Sequence, residues 1–238
     1  MIKVRIHLKN LRDKSTLPAS HQYELVSAVF RKMPFLQGKH YTVSGLWLIK
    51  PFLYEQDTLT LESNTNFEIS VYDEDITLKM INDAMYKQTI TIANNQYSDN
   101  EFLVTGVQAL NYPSPKATTN YRAISPITVR YKYEEEIHYS YISPTDEMYK
   151  DFFIDALYQK YLNLGWSRVS LEGVDIQILT EPKERLITTK AGTGEELKIK
   201  GYLFDFQLTC PIKLQKLGFY GGFGDLPTLG FGASFSIS

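Results

Sequence analysis

The chain has little sulfur chemistry, no excess of either charge and no long apolar stretch. Cys210 is the single cysteine in 238 residues. That excludes an internal disulfide framework and fits a reducing cytoplasm. It lies between Thr209 and Pro211 in a strand-like run, where it reads as a small core residue. No apolar run approaches the roughly 20 residues that span a bilayer. The opening Met1-Ile-Lys-Val-Arg-Ile-His7 alternates in strand fashion, unlike the apolar block of a signal peptide. A cytoplasmic protein with no membrane partner is therefore expected. Lysine and arginine number 25 against 27 acidic residues, a formal charge of −2. Any phosphate-binding face must then be local.

Metal motifs are lacking too. There is no His-Glu-x-x-His, no Cys-x-x-Cys and no carboxylate series at EF-hand spacing. The run Glu134-Glu-Glu-Ile-His138 reads as a solvated strand end, so neither a metal nor another cofactor is expected. No Gly-x-Ser-x-Gly elbow occurs.

Glycine, by contrast, is concentrated at the C-terminus. Gly222-Phe-Gly224 and Gly230-Phe-Gly232 flank a short turn that contains Asp225 and Thr228. Such density requires positive φ or close backbone approach. Successive N–H groups there can form a nest for an anionic oxygen, and a hairpin with glycine bulges is the plainer reading. Dinucleotide and P-loop motifs open a helix, whereas only the alternating Ala233–Ser238 follows here.

The pattern before this segment is a repeated mixture of strands and helices. Ile2, Val4, Ile6 and Leu8 alternate with Lys3, Arg5, His7 and Lys9, predicting a half-buried strand with a cationic face. Ser20 is the expected N-cap of a helix with Leu25, Val26, Val29, Phe30 and Met33 on one side, closed by Pro34. Strands are expected over 41–49, 52–61, 67–72 and 101–110. A helix from Asp75 carries Ile76, Met80, Ile81, Ala84 and Met85. Residues 111–120 have linker composition. Beyond them come a strand over 121–133 and a helix from Thr145 ending near Gly165. Further strands are expected over 169–179 and 197–208 and in the tail. Two successive units of this kind predict an α+β chain of tandem ferredoxin-like (RRM-like) βαββαβ domains, 1–112 and 121–238.

Two histidines are placed for chemistry. His40, in Gln37-Gly-Lys-His-Tyr41, titrates near neutrality beside Lys39, and that pair suits general acid–base work with a cation for developing phosphorane charge. His21, two residues from Tyr23, sits at a helix start that favours neutral imidazole and a general base. Each reads equally as a structural or surface side chain. A hairpin around 191–194 carries Lys183, Arg185, Lys190, Lys198 and Lys200, diluted by four glutamates. It is either an ordinary exposed hairpin or an arm for a phosphate backbone.

Taken in order, these pieces resemble the Cas6 family of CRISPR-associated endoribonucleases, in the RAMP superfamily. The resemblance rests on the Gly222–Gly232 segment, Ala123-Ile-Ser-Pro-Ile-Thr-Val129, Ile142-Ser-Pro before the 146–161 helix, and Leu17-Pro18 with His21-Gln-Tyr23. It implies tandem ferredoxin-like domains and recognition of CRISPR repeat RNA through Gly222, Gly224, Thr228, Gly230, Gly232, Lys183, Arg185 and Lys190. It also implies metal-independent cleavage by 2′-hydroxyl attack, leaving a 2′,3′-cyclic phosphate and a 5′-hydroxyl. The catalytic candidates it suggests are His40 with Lys39, or His21 with Tyr23, although Phe30 stands where a helix tyrosine is expected. A monomer or homodimer fits the resemblance. So does an alternative role as a non-catalytic RNA-binding subunit with CRISPR effector proteins as partners. A ferredoxin-like protein acting on a small phosphorylated molecule is the third reading.

Overall fold

The computed structural model describes residues 1–12, 15–18, 20–48, 58–61, 64–94, 97–111, 116–132, 139–191 and 193–237. The first half contains β1 (Ile2–Asn10), β2 (Ser15–Pro18), α1 (Gln22–Lys32), β3 (His40–Val43), β4 (Trp47–Leu48), β5 (Thr58–Leu61), β6 (Thr65–Tyr72), α2 (Leu78–Met85), β7 (Thr89–Asn94) and β8 (Tyr97–Leu110). The second half contains β9 (Thr118–Ala123), β10 (Arg130–Tyr131), β11 (Ser140–Tyr141), α3 (Tyr149–Asn163), β12 (Asp175–Ile178), β13 (Lys183–Thr189), β14 (Leu197–Leu203), β15 (Asp205–Thr209), α4 (Ile212–Gly221) and β16 (Ser234–Ile237).

Both halves reduce to one topology. The first sheet runs β3-β6-β1-β8-β7, with β4 also on β6; the second runs β12-β15-β9-β16. With the principal strands of each half counted in chain order, both sheets read second-third-first-fourth. That is the ferredoxin-like βαββαβ arrangement expected above. The β13–β14 hairpin is an insertion between the second and third strands of the second half.

The alternation in β1 does what its residue types require. Val4, Ile6 and Leu8 are buried against the first core with Leu25, Val29, Phe67 and Phe102. The opposite face carries Lys3, Arg5 and His7, but Lys3 is only 2% exposed because the second half covers it. The second core is aromatic: Phe223 lies 5.0 Å from Tyr121, 5.1 Å from Phe206 and 6.0 Å from Phe153, ring to ring. A smaller cluster joins Phe231 to Ile187 and Ile199 of the hairpin. Each Gly-Phe-Gly triplet therefore drives its phenylalanine into a core.

Several boundaries differ from expectation for local reasons. Helix α1 starts at Gln22 with His21 as N-cap and no side-chain cap. The Pro18 carbonyl closes that turn by accepting from the His21 N–H at 3.1 Å, which leaves Ser20 without the expected role. Helix α2 starts at Leu78, capped by the Thr77 hydroxyl, and has no acidic residue in its first turn. Asp73 instead accepts from the Asp75 N–H at 2.9 Å, forming a separate turn. Met80, expected on the inner face, is 37% exposed. Gly165 does take positive φ after α3. Helix α4 is an addition to the expected elements, because Gly218 and Gly221 lower helix propensity. A Cβ on Gly218 would lie 2.0 Å from the Phe223 ring, so packing dictates the glycine. Residues 133–138, with the acidic run and His138, lie outside the described set, as does part of the 111–120 linker and of the 52–61 strand.

Candidate functional site

The C-terminal segment from Gly222 to Ser234 runs along the seam between the two halves, and side chains from both hold its carbonyls. Gln22 Nε2 donates to Gly230 O at 2.9 Å and to Val43 O at 2.7 Å. Thr42 Oγ1 donates to Phe231 O at 2.8 Å, and the Tyr41 hydroxyl reaches Thr228 O at 3.4 Å. Lys160 Nζ, from α3, donates to Gly222 O at 2.7 Å. At the far end Lys3 Nζ donates to Ser234 O and pairs with Glu68 at 3.3 Å.

The glycines have internal reasons. Gly222, Gly224, Gly230 and Gly232 all have positive φ. A Cβ on Gly224 would lie 2.4 Å from Thr128 O, and one on Gly232 would lie 2.0 Å from Phe223 O. The N–H groups of Phe223, Asp225, Leu229, Gly230 and Gly232 donate to the protein's own carbonyls. The close approach inferred from glycine density is thus made by this chain's own backbone. Much of the nest expected for an anion is filled from within.

The histidines separate clearly. His21 is buried, with Nδ1 at 3.0 Å from Pro18 O and Nε2 accepting from the Leu46 N–H at 3.3 Å. Burial lowers its pKa to about 4 against a smaller opposing effect of the Pro18 carbonyl. The ring is neutral, as expected at a helix start, but both nitrogens are committed to structure. Tyr23 points elsewhere, lining a cavity of about 250 Å³ with Ser27, Arg31, Lys190 and Thr193. His21 and Tyr23 therefore do not converge; the hairpin tip, not a histidine, meets Tyr23. His7 Nε2 lies 3.2 Å from Gln108 Oε1 on the first sheet.

His40 is different. It opens β3 opposite Tyr72 of β6 and is half-buried. Burial, then the Lys160 charge, lowers its pKa. Lys160 is itself lowered to about 8 by burial, with Asp225 opposing. Asp225 is raised by burial despite Arg130 and Lys160. The imidazole, with its pKa lowered, thus stands within reach of the Lys160 charge and next to the α4 terminus: a Cβ on Gly221 would lie 3.4 Å from His40 Cβ. Lys39 is not the cation of this group. It pairs with Asp73 at 2.8 Å, and that hydrogen bond and charge raise its pKa.

Sequence reasoning missed Lys160, yet a signal was there. Phe153, Leu157 and Tyr161 fall at helical spacing on the inner face of α3, and Lys160, half-buried at its edge, is a lysine whose amine must find a polar partner.

In the β13–β14 arm, Lys190 pairs with Glu195 at 2.6 Å and Lys200 with Glu184 at 3.3 Å. Lys183, Arg185 and Lys198 are exposed and form no ion pair among the described residues. Part of the cationic arm is therefore neutralised from within, and three charges face solvent.

Known proteins place this geometry. A curated relative from Pyrococcus furiosus, CRISPR-associated endoribonuclease-like protein Cas6, is 23% identical over 97% of each chain. The Cas6nc protein of Pyrococcus horikoshii is 22% identical over 97% of this chain and 98% of its own. A solved RAMP protein described as binding different RNA substrates superposes over the whole of both chains with a TM-score of 0.85 at 22% identity. The family model "CRISPR associated protein Cas6, C-terminal" matches residues 110–234, more than half of the sequence. The α4–glycine segment, the Ser125-Pro126 bend after β9 and the α3 helix all fall within that match, and the chain belongs to the CRISPR-associated Cas6 family.

Proposed function

We propose that the protein binds CRISPR repeat RNA across the seam of its two ferredoxin-like domains, taken as 1–112 and 121–238. The observation that carries this reading is the β13–β14 arm, whose Lys183, Arg185 and Lys198 project into solvent beside the glycine-held seam. Unneutralised cations on an inserted hairpin suit a phosphate backbone, where counterion release makes affinity fall with salt. The glycine segment contributes by rigid placement: it locks the two halves at a fixed spacing, against which an RNA is read.

Cleavage is the second reading, and the half-buried His40, its pKa lowered by burial and the Lys160 charge, favours it. In that reaction neutral His40 takes the 2′-hydroxyl proton, the 2′ oxygen bonds to phosphorus, and the P–O5′ bond breaks. Water protonates the leaving 5′ oxygen, and the products are a 2′,3′-cyclic phosphate and a 5′-hydroxyl. Positioned proton transfer is worth about 10²–10⁴-fold. Recognition ranks first because Lys39 and His21 are occupied in other contacts and Tyr23 lines a separate cavity away from His21.

The test is a filter-binding titration with repeat RNA from the adjoining CRISPR locus, in EDTA and at several salt concentrations, with product analysis on a gel. Salt-sensitive binding with intact RNA supports recognition alone. Products lost on 2′-deoxy substitution at the cut site, and in His40→Ala, establish the second reading. Absence of RNA binding at low salt removes both.

A further inference from the structure

His40 is flanked by aromatic side chains that no catalytic or glycine-based reading requires. Tyr72 faces it across the β3–β6 ladder. Trp166, just beyond α3, lies 5.5 Å from Tyr72 with ring planes at 66°. The buried Tyr161 supports the indole from within the second core at 4.8 Å and 69°, and Tyr158 stacks on Tyr161 at 6.3 Å. Tyr72 belongs to the first half and Trp166 to the second, and both are half-buried at the seam. Gly221 packs against this group: a Cβ there would lie 3.5 Å from Tyr72 Cβ.

An aliphatic pair would also seal a seam. A tyrosine and a tryptophan held by edge contacts and half-buried instead leave part of each ring in water, with little rotamer freedom to lose. A nucleobase is the ligand that matches such faces, because every base has a π surface. A base already paired in a duplex cannot enter, since its faces are covered by its neighbours.

We propose that Tyr72 and Trp166 form a stacking site for one unpaired nucleobase, held between the two halves next to His40. The site rests on the RNA-binding reading and adds to it a requirement for a single-stranded nucleotide at a defined position. It selects for an unpaired base more than for its identity, because stacking involves no hydrogen-bond readout.

The chain holds two tryptophans, so Trp47→Phe makes Trp166 the sole indole reporter. Repeat RNA is titrated into this variant while indole emission and filter binding are followed in parallel. Quenching of Trp166 that saturates together with binding, and is lost when one nucleotide of the repeat is made abasic, is the expected result. Trp166→Ala in the full chain weakens binding about 5- to 100-fold at an unchanged salt slope, and Trp166→Phe recovers most of the loss. RNA that binds while Trp166 emission stays constant overturns the stacking site and leaves the RNA reading standing. Wild-type affinity in a folded Trp166→Ala does the same. Failure of the Trp47→Phe and wild-type proteins to bind RNA at low salt overturns the RNA reading, and the stacking site with it.

Discussion

Lys160 Nζ donates to the Gly222 carbonyl at 2.7 Å, joining α3 to the first residue of the glycine segment. The same amine adds to burial in lowering the His40 pKa, so one side chain both holds the segment and biases the charge state of His40. Replacing it with Met removes the charge and leaves Gly222 O without this donor. The His40 pKa then rises toward its ordinary value, read by NMR titration of the ring. Stability falls by about 1–3 kcal/mol, the cost of a lost charge-assisted hydrogen bond, less whatever burying the amine now costs. A His40 titration unchanged in Lys160→Met would mean that the two groups do not communicate.

His21 makes the fold acid-sensitive. Its folded pKa is about 4 against an ordinary 6.5, so the unfolded chain binds the proton more readily. Stability is full above about pH 6.5 and declines as pH falls toward 4, by about 3 kcal/mol in all. His21→Gln flattens this part of the pH–stability curve, measured by urea unfolding at pH 7, 5.5 and 4.5. An equal slope in wild type and variant would place the titrating group elsewhere.

The glycines separate into two kinds. Gly38 has positive φ, and a Cβ added there would meet nothing within 4 Å, so Gly38→Ala costs only the left-handed strain of about 1–2 kcal/mol. Gly232→Ala adds a carbon 2.0 Å from Phe223 O and costs about 3 kcal/mol or more through forced backbone shifts. Chemical denaturation of both variants checks the contrast. A Gly232→Ala protein of wild-type stability would show that the segment is not packed as described.

Charge on the hairpin acts on binding and not on folding. Lys183→Ala and Arg185→Ala each reduce the salt slope of RNA binding by about 0.7 to 0.9 if each meets one phosphate, while the melting temperature stays put. Lys190→Ala has the smaller effect on RNA, because Glu195 already holds that amine at 2.6 Å. Equal losses from all three would mean that the Lys190–Glu195 pair opens on the RNA.

How much of this is legible in the sequence depends on distance along the chain. The alternation of β1 and the stripes of α1 and α3 are local, and they yield the tandem βαββαβ order. Helix α4 is hidden by Gly218 and Gly221, although Leu214, Leu217, Gly218 and Gly221 fall at helical spacing and face inward. The seam is out of reach. His40, Lys160 and Gly222 are brought together only by the docking of two separate cores, and no local pattern encodes that. Lys39 and His40, though adjacent, point to different partners because successive residues at a strand entry face opposite sides.

RNA recognition across the seam is tested by a filter-binding titration of the purified chain with its own CRISPR repeat RNA in EDTA. The expected result is saturable binding that weakens steadily with salt and survives His40→Ala. No binding at low salt, or binding that ignores salt, contradicts it.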